Sequence, residues 1–501
     1  MVPFLTHYRA RPASGLGCPH AMPAATQASE PRAWVDLPRP PSRLWGLSLL
    51  RKMGHDYLGF TERLRRDHGD MVAMQIGWER SVDIFAPEAA REVLVDHADR
   101  TVRWERGIAV LAQVFGRSVF TTEGAEWRRQ RRMLHPAFAP RVVAGQAADM
   151  VATISKELNH LEDSSAHGQK LDLEQFFSSL TVRVIMRTLF GPQAQVDPDA
   201  VSWATQVLSR TAMREMFVPL TLPDWLPLPG KASKRKALRT LRPLIERQVD
   251  GRGASAACAT ALVDQWLSLR SDQVPEADGA ALTRREIVDQ CIGTFQAGHE
   301  TTATALTWWA RLMAEHPLAM ARAQAEVDAA LGGNTPTPND LACMPWLNAT
   351  LKEAMRLYPP AAALLTRRAT ADIVVAGVCL PKGTLLRITP WAIQRDGRLF
   401  EDPTAFRPER FLPNASGVAR GAWLVFGAGP RVCLGQHFAM LEVTLTASML
   451  LQRFAWTLLP GAKPAAPQMN VTLRDPGGLH VRLHRRAPAG PPLGVTPHTS
   501  R

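Results

Sequence analysis

Phe426-Gly-Ala-Gly-Pro-Arg-Val-Cys-Leu-Gly435 is the stretch of sequence that decides the fold. Gly427 and Gly429 allow positive φ angles or the close approach of a large flat partner to the backbone. Arg431 places a permanent cation two residues before the single cysteine of the stretch, Cys433. So many glycines argue against a strand or helix interior, and the sequence predicts a loop.

A helix is predicted directly after this loop, because residues 436–445 have helical periodicity. Cys433 would therefore lie at or just before a helix N-terminus. There the partial positive charge of the helix end, together with Arg431, would favour the thiolate over the thiol. A thiolate in such a loop is suited to bind a metal or to attack an electrophile.

Other interpretations of Cys433 are a buried apolar residue, a dinucleotide-binding loop and a zinc site. A lone cysteine is usually a small buried hydrophobic residue. A dinucleotide-binding loop would need a third glycine where Val432 stands. A zinc site is not indicated, since no two cysteines form a Cys-x-x-Cys pair; the six are Cys18, Cys258, Cys291, Cys343, Cys379 and Cys433.

The pattern Phe426-x-x-Gly429-x-Arg431-x-Cys433-x-Gly435 resembles the haem-binding loop of the cytochrome P450 family at five positions in ten. The resemblance implies that Cys433 is the thiolate ligand of the iron of haem b, iron protoporphyrin IX. It also implies that Phe426 packs beside the sulfur and that Arg431 pairs with a haem propionate. The glycines would let loop amides point at the thiolate and tune the iron.

A long apolar helix is predicted over residues 287–316, with Ala297-Gly-His-Glu-Thr-Thr302 at its middle. Gly298 costs roughly 1 kcal/mol and each threonine about 0.5 kcal/mol relative to alanine in a helix, so this composition points to a functional site. The alternative is a bent core helix whose threonines bond back to the preceding turn. A zinc-protease motif is excluded because position 303 is Ala303 rather than histidine.

This stretch is similar to the oxygen-binding motif of the cytochrome P450 family, Ala/Gly-Gly-x-Asp/Glu-Thr-Thr/Ser. The resemblance implies that Ala297 and Gly298 adjoin the haem, with Gly298 opening the helix above it. Thr301 would donate a hydrogen bond to bound O2, and Glu300 would supply protons through water. A complete acid–alcohol pair predicts a monooxygenase that uses O2 rather than a peroxygenase.

Glu353 and Arg356 lie three residues apart on one predicted helix face. As a surface pair they would contribute only about 0.2–0.5 kcal/mol. Here they are followed by Phe406-Arg-Pro-Glu-Arg-Phe411, which also matches the family. The resemblance implies that Glu353, Arg356 and Arg410 form a buried ion network that anchors the haem-binding loop.

Trp127 and Arg131 match the family's Trp-x-x-x-Arg pattern and share a helix face suited to one propionate. The alternative is a basic amphipathic helix. Arg367 is predicted to meet the other propionate, although Arg368 remains an alternative. Gln394 stands where many relatives have histidine, so a histidine–propionate contact is not expected here.

Composition indicates a globular protein, with 46% hydrophobic and 21% charged residues and scattered cysteines typical of a reducing compartment. The net charge of +13 is not accompanied by a basic stripe with interleaved aromatics, so no nucleic-acid partner is expected. The cluster at residues 231–236 is interpreted as a solvated helix face.

No apolar window reaches the ~18 residues of a membrane span, and the first thirty residues lack a secretory signal. The prediction is a cytoplasmic protein without membrane contact.

The predicted architecture is mainly α with a small β region, which is the cytochrome P450 fold that the resemblance implies, with haem between a long distal helix and the cysteine loop. A helical segment is expected over residues 47–66 and a β-hairpin over 71–85. Residues 1–38 are predicted to be a disordered leader, 39–485 a single catalytic domain and 486–501 a flexible tail.

Electrons would come from separate proteins, since no flavin or ferredoxin module is apparent. A ferredoxin or flavodoxin with its reductase is the predicted partner, docked by Arg128, Arg129 and Arg132. A small apolar substrate is expected, contacted by residues 102–120, 205–226, 361–365 and 471–473. Two other functions stay open: a haem-thiolate isomerase or dehydratase, and a non-enzymatic haem protein.

Overall fold

The computed structural model describes residues 31–165, 170–194, 196–217, 224–226, 228, 230–251, 261–268, 282–363, 365–415 and 417–487. Helices account for most of them. They are α1 (Leu47–His55), α2 (Tyr57–His68), α3 (Pro87–Arg91), α4 (Glu105–Phe115), α5 (Gly124–Leu134), α6 (Pro140–Gly145), α7 (Ala147–Ser165), α8 (Leu173–Phe190), α9 (Pro198–Phe217), α10 (Lys231–Asp250), α11 (Leu262–Leu267), α12 (Arg284–Glu315), α13 (Pro317–Leu331), α14 (Pro345–Leu357), α15 (Pro390–Ile393) and α16 (Gln436–Arg453).

Thirteen short strands complete the regular structure of the described part. They are β1 (Arg32–Ala33), β2 (Met71–Ile76), β3 (Glu79–Ile84), β4 (Thr101–Arg103), β5 (Lys170–Asp172), β6 (Leu365–Ala369), β7 (Ile373–Val375), β8 (Val378–Leu380), β9 (Leu385–Ile388), β10 (Phe454–Leu458), β11 (Gln468–Met469), β12 (Leu473–Arg474) and β13 (His480–Arg485). The largest sheet has the order β2-β3-β9-β6-β4, in which β3 and β9 are parallel and the other pairs antiparallel. The prediction of a mainly α protein with a small β region is confirmed.

Helix α12 runs through the centre of the main core. It packs against α8, α14, α16, α10 and α4, and side chains such as Phe295, Leu306 and Trp309 are fully or almost fully buried. Its start is fixed by a capping box, in which the Thr283 hydroxyl accepts from the Glu286 amide and the Glu286 carboxylate accepts from the Thr283 amide. Burial on nearly all sides explains why the apolar residues of the helix are not confined to one stripe.

The N-terminal elements differ in two details from the sequence prediction. The helical segment expected over residues 47–66 is two helices, because Asp56 leaves the helical conformation and its carboxylate caps α2 by accepting from the Gly59 amide at 2.8 Å. Residues 31–38, assigned to the leader, are folded, since Arg32 pairs with Val378 and Trp34 is buried. Residues 1–30 and 488–501 lie outside the described part.

The basic cluster at residues 231–236 is not the solvated face that the sequence predicted. Lys231 and Lys234 are buried and share Glu215 of α9 and Asp224, at N–O distances between 2.6 and 3.0 Å. Lys234 also donates to Gln113 of α4. These side chains therefore join α4, α9 and α10, and the burial of two lysines is possible because two carboxylates face them.

Within the described ranges, none of the helices combines the length and apolar character that crossing a bilayer demands.

Candidate active site

The loop that carries Cys433 has the conformation that its glycines predict. Gly427 and Gly429 have φ angles of 72° and 71°, in the left-handed region that favours glycine. A Cβ at Gly429 would lie 2.0 Å from the carbonyl oxygen of Leu94, so only glycine fits there. The Cys433 amide donates to the Phe426 carbonyl at 2.9 Å, and α16 begins three residues after Cys433.

Cys433 is surrounded by protein yet keeps an exposed surface, as a side chain at the floor of a cleft does. Burial raises the pKa of its thiol, and the Gly435 amide and the charge of Arg131 oppose that rise. The cation beside the sulfur is thus Arg131, whereas the sequence pointed to Arg431. Since burial outweighs both opposing effects, the free thiol stays protonated and a bound metal would have to displace the proton.

Four arginines converge next to Cys433 on the same side of the molecule. Arg103 and Arg367 are paired across neighbouring strands β4 and β6. Arg131 donates to the Val432 carbonyl at 2.8 Å, and Arg431 stacks on the Trp127 ring with its guanidinium carbon 3.9 Å from the ring centroid.

Glu123 is the one carboxylate in the described part that forms ion pairs with this group of arginines. It pairs with Arg103 at 2.6 Å and with Arg431. Burial and neighbouring cations lower the pKa of Arg431 to about 9 and that of Arg367 to about 10. The Nη1 atom of Arg431 is buried and has no hydrogen-bond partner among the described residues. The cluster therefore has an excess of buried positive charge, which suits a ligand with carboxylate groups.

The structure distinguishes Arg367 from Arg368. Arg368 is engaged by Glu79 and Glu105, each at 2.7 Å, and by the Gly383 carbonyl. Arg367 is buried and donates to the carbonyl of the adjacent Thr366 at 3.0 Å. Arg367 is thus the member of the pair that faces the arginine cluster.

The motif on α12 keeps accessible surface where the helix around it is buried. Between Ile287 and Met313 every residue is buried except Ala297, Gly298, Glu300 and Thr301, which keep accessible surface. Gly298 packs against Ile185, where a Cβ would lie 3.1 Å from the Ile185 side chain. One helical turn of α12 is therefore open where the rest of the helix is closed.

The segment between α4 and α5 connects α12, one to two turns before the motif, with the arginine cluster. The Val119 amide donates to Gln290 of α12 at 2.9 Å, and the Phe120 ring packs against Gly293. The carbonyls of Phe120 and Thr122 in turn accept from Arg103. The segment thus lies against both the motif helix and the arginines.

Thr301 and Glu300 make different contacts. The Thr301 hydroxyl donates to the Ala297 carbonyl at 2.6 Å, one turn back along α12. The Glu300 carboxylate accepts from the Thr472 hydroxyl at 2.7 Å. Burial raises the pKa of Glu300, while Thr472 and the charge of Arg474 oppose the rise. A carboxyl whose pKa is raised in this way is better able to hold and release a proton near neutral pH.

Glu353, Arg356 and Arg410 are brought together in a buried network. Glu353 and Arg356 are fully buried and joined by two hydrogen bonds of 2.7 Å. Arg410 reaches Glu353 at 3.4 Å, and the Arg407 amide donates to Glu353 at 3.0 Å. Arg356 also donates to the carbonyls of Gln394, Pro403 and Ala405, so the network fixes the chain that leads to the Cys433 loop.

Gln394 holds two chain segments together and has no contact with the arginine cluster beside Cys433 among its hydrogen bonds to described residues. Its side-chain nitrogen donates to the Arg356 carbonyl at 2.8 Å, and its oxygen accepts from the Leu424 amide at 2.9 Å. It therefore bridges the end of α14 to the residues just before the loop.

Apolar residues from several predicted substrate segments meet in one cluster. Val110 of α4 packs with Ala212, Met213 and Met216 of α9, and Val471 lies against them. The segments at 218–223, 227 and 229 and residue 364 lie outside the described part.

The sequence predicted no polar role for three residues near the site, although two of them, Arg103 and Thr472, lie in segments expected to contact substrate. Arg103 and Glu123 lie in short stretches without a recognisable pattern, and Thr472 is one threonine in a turn of the C-terminal region. Their positions depend on strand pairing and on helix packing, so no local signal was available for them.

The chain is similar in sequence to known proteins. The family model described as cytochrome P450 matches residues 38–481. Pentalenene oxygenase of Streptomyces avermitilis is 31% identical over 84% of this chain and 91% of that protein. Cyclooctatin synthase of Streptomyces melanosporofaciens is 33% identical over 81% of this chain and 87% of its own length. Cyclooctat-9-en-7-ol 5-monooxygenase of the same organism is 31% identical over 79% of this chain and 84% of that protein.

Proposed function

Because the chain belongs to the cytochrome P450 family, it is a haem-thiolate monooxygenase, and we propose that it inserts one oxygen atom from O2 into an apolar cyclic substrate, using haem b bound by Cys433. The observation that carries the proposal is the open turn of α12, where Ala297, Gly298, Glu300 and Thr301 alone keep accessible surface in an otherwise buried helix stretch. An acid and an alcohol that are adjacent in sequence and both keep accessible surface suit reductive O2 chemistry.

The residues present fit a haem. Cys433 is surrounded by protein yet keeps an exposed surface, and the left-handed conformations of Gly427 and Gly429 shape the loop that carries it. The excess positive charge of Arg103, Arg131, Arg367 and Arg431 over Glu123 supports two propionates as the missing counter-charges. In this proposal Phe426 and Gly435 also belong to the haem-binding site. Trp127 belongs to it through its contact with Arg431. Haem supplies, when bound, the thiolate-ligated iron at which O2 is reduced and activated.

The residues of the chain itself manage protons and water in this proposal. Thr301 holds a proton on a neutral hydroxyl at the cleft wall, where a charged group would be costly to bury. Glu300 holds a second proton on a carboxyl whose pKa burial raises. Glu353, Arg356 and Arg410 act at a distance, by fixing the polypeptide before the Cys433 loop.

An apolar cyclic substrate is supported by two lines of observation. The names of two relatives, pentalenene oxygenase and cyclooctat-9-en-7-ol 5-monooxygenase, specify an alkene and an unsaturated alcohol. The cluster of Val110, Met213, Met216 and Val471 is apolar, and methionine side chains adapt to irregular shapes. We propose hydroxylation or epoxidation of such a hydrocarbon skeleton.

A ferredoxin or flavodoxin, reduced by its reductase, is the proposed electron donor. Arg128 and Arg132 are exposed on α5, the helix whose Arg131 contacts the residue before Cys433. Arg129 pairs with Glu286 and is less suited to docking than the sequence suggested. Steering by the exposed cations favours an acidic partner. We place the enzyme in the cytoplasm, with residues 39–485 as its catalytic domain and no membrane contact.

The proposal is tested first by an absorption spectrum and then by measuring product formation. The ferrous carbon monoxide complex should show a strongly red-shifted Soret band that Cys433→Ser abolishes. With a ferredoxin system, NAD(P)H and O2, a cyclic alkene should gain one oxygen atom, traceable with labelled O2. An unshifted band would refute thiolate ligation. Conversion without NAD(P)H or O2 would show an isomerase or dehydratase, and haem binding without any product would indicate a non-enzymatic role.

A further inference from the structure

A stack of aromatic rings leads away from the motif on α12. Trp308 follows Thr301 by seven residues, which is two helical turns or about 10 Å along the axis. The centroids of the Trp308 and Tyr358 rings lie 4.0 Å apart, and the two ring planes differ by 5°. Aromatic pairs in proteins usually have offset or edge-to-face geometries with centroids about 4.5–7 Å apart. The closer, parallel contact therefore gives these two π systems more overlap than is usual.

The two ends of this stack differ in their access to solvent. Trp308 is 2% exposed, whereas Tyr358 is half-buried and keeps accessible surface. Burial raises the pKa of the Tyr358 phenol, the charge of Arg395 opposes the rise, and the carboxylate of Glu315 adds to it. The phenol is thus neutral at rest, and the Glu315 side chain, which is 32% exposed, is close enough for its charge to act on it. A proton released by an oxidised Tyr358 ring has a route to solvent.

The next ring, Trp391, is less suited to carry a positive charge. It lies 6.2 Å from the Tyr358 ring, is 5% exposed and donates its indole N–H to Glu62 at 2.5 Å. The guanidinium carbon of Arg395 lies 3.2 Å from the Trp391 ring centroid and 5.5 Å from that of Tyr358. Such a cation is attracted to a neutral ring but repels an oxidised one, and the repulsion grows as the distance falls. An electron vacancy that reaches Tyr358 therefore stays there.

A second aromatic pair begins at the neighbouring residue of α12. The ring centroids of Trp309 and Trp456 lie 5.7 Å apart, and the two residues are 0% and 2% exposed. Their indole N–H groups donate to the Thr350 hydroxyl at 3.0 Å and to the Ala310 carbonyl at 2.8 Å. This pair lies wholly in the core, so it is a control for the packing of indole rings on α12.

We propose that Trp308 and Tyr358 form an electron-transfer path that protects the enzyme when O2 has been activated and no substrate is oxidised. The inference rests on the proposed function. Trp308 gives one electron to the haem, Tyr358 returns one electron to Trp308, and the Tyr358 O–H bond breaks as its proton passes to solvent. An external reductant of the thiol or ascorbate class then gives one electron and one proton back to Tyr358. Two such passages, with two protons from solvent, reduce the remaining oxygen atom to water.

The first experiment looks for the radical on Tyr358. The haem-loaded protein, without substrate, is mixed with a peracid, frozen within milliseconds and examined by electron paramagnetic resonance. A tyrosyl signal is expected, and the chain has three tyrosines to which it can be assigned, Tyr8, Tyr57 and Tyr358. Tyr358→Phe should abolish the signal, whereas Tyr8→Phe and Tyr57→Phe should keep it. A signal that survives in Tyr358→Phe, or that does not form in the wild type, would overturn the proposal.

The role of Trp308 is tested in the same assay. Trp308→Phe should lower the yield of the tyrosyl radical at least fivefold, because a phenyl ring is much harder to oxidise than an indole. Trp456→Phe is the matched control and should leave the yield within twofold of the wild type. Equal yields in the two variants would overturn the role of Trp308.

The second experiment measures protection. With a ferredoxin system, NAD(P)H and O2 but no substrate, Tyr358→Phe should lose its Soret absorbance at least threefold faster than the wild type. Added ascorbate should slow this loss in the wild type and have no effect in Tyr358→Phe, because the path that delivers its electrons is interrupted. Equal rates of loss in the two proteins would overturn the protective role. Failure of the proposed function would appear separately, as an unshifted carbon monoxide spectrum in the wild type.

Discussion

Removal of the Glu353 carboxylate should be among the most damaging single changes in this protein. The change Glu353→Ala leaves the fully buried guanidinium of Arg356 without its anion and takes an acceptor from the Arg407 amide and from Arg410. Breaking a buried pair by deleting one partner typically costs about 3–5 kcal/mol. Because a native domain is stable by only about 5–15 kcal/mol, this loss is a large fraction of the total.

The assay is urea unfolding of the haem-free and haem-bound protein, followed by fluorescence and by the Soret band. Glu353→Ala should lower the free energy of unfolding by about 3–5 kcal/mol and release haem at a urea concentration at which the wild type retains it. Arg356 also holds the carbonyls of Gln394 and Pro403, so loosening it should disturb the approach to the Cys433 loop.

The matched control is Glu401→Ala, which removes an exposed carboxylate that pairs with Arg407 in the same region. Its effect should stay within about 0.5 kcal/mol, as for most surface changes. If Glu353→Ala were as mild as Glu401→Ala, or if it kept full haem affinity, the reasoning that the buried pair anchors the loop would be refuted.

Other predictions concern the cleft and pH. Thr301→Ala should lower the fraction of electrons recovered in product about tenfold or more and release peroxide, and unchanged coupling would contradict its role. Arg367→Leu should weaken haem binding about 10–100-fold in a haem titration, as loss of a charge-assisted hydrogen bond of ~1.5–3 kcal/mol requires, whereas Arg368→Leu should leave haem affinity unchanged. Burial raises the pKa of Glu442 well above 4.5, and neither of its carboxylate oxygens has a hydrogen-bond partner in the described part. The native state therefore keeps a proton that the unfolded chain releases above pH 4.5, so the free energy of unfolding should fall as pH rises beyond that value. Glu442→Gln should flatten this dependence; an identical pH profile in the variant would argue against it.

The features that the sequence predicted well are those encoded by local spacing. The Cys433 loop and the helix that follows it are encoded by glycines, a cysteine and helical periodicity within about thirty residues. The motif on α12 is encoded by a glycine and helical periodicity within a stretch of similar length. The strands Ile373–Val375 and Leu385–Ile388 are likewise short, mainly apolar runs next to turns, which is a local signal.

The features that the sequence did not predict depend on packing between distant segments. Arg103 faces Arg367 only because β4 and β6 pair, and Thr472 meets Glu300 only because the C-terminal turn folds against α12. Lys234 looked solvated in a basic run, but tertiary packing places Glu215 and Gln113 around it. A linear pattern carries no record of such neighbours.

The charge cluster of Lys231 and Lys234 has a practical consequence for protein engineering. Helices α4 and α9 carry the apolar contacts proposed for substrate, and Gln113 and Glu215 tie both to the start of α10. Exchange of α9 with that of a homologue would remove Glu215 and leave the two buried lysines to share Asp224, and exchange of α4 would remove the Gln113 oxygen that accepts from Lys234. Libraries that aim at new regioselectivity should therefore transplant the two helices together with residues 224–234, as one cassette.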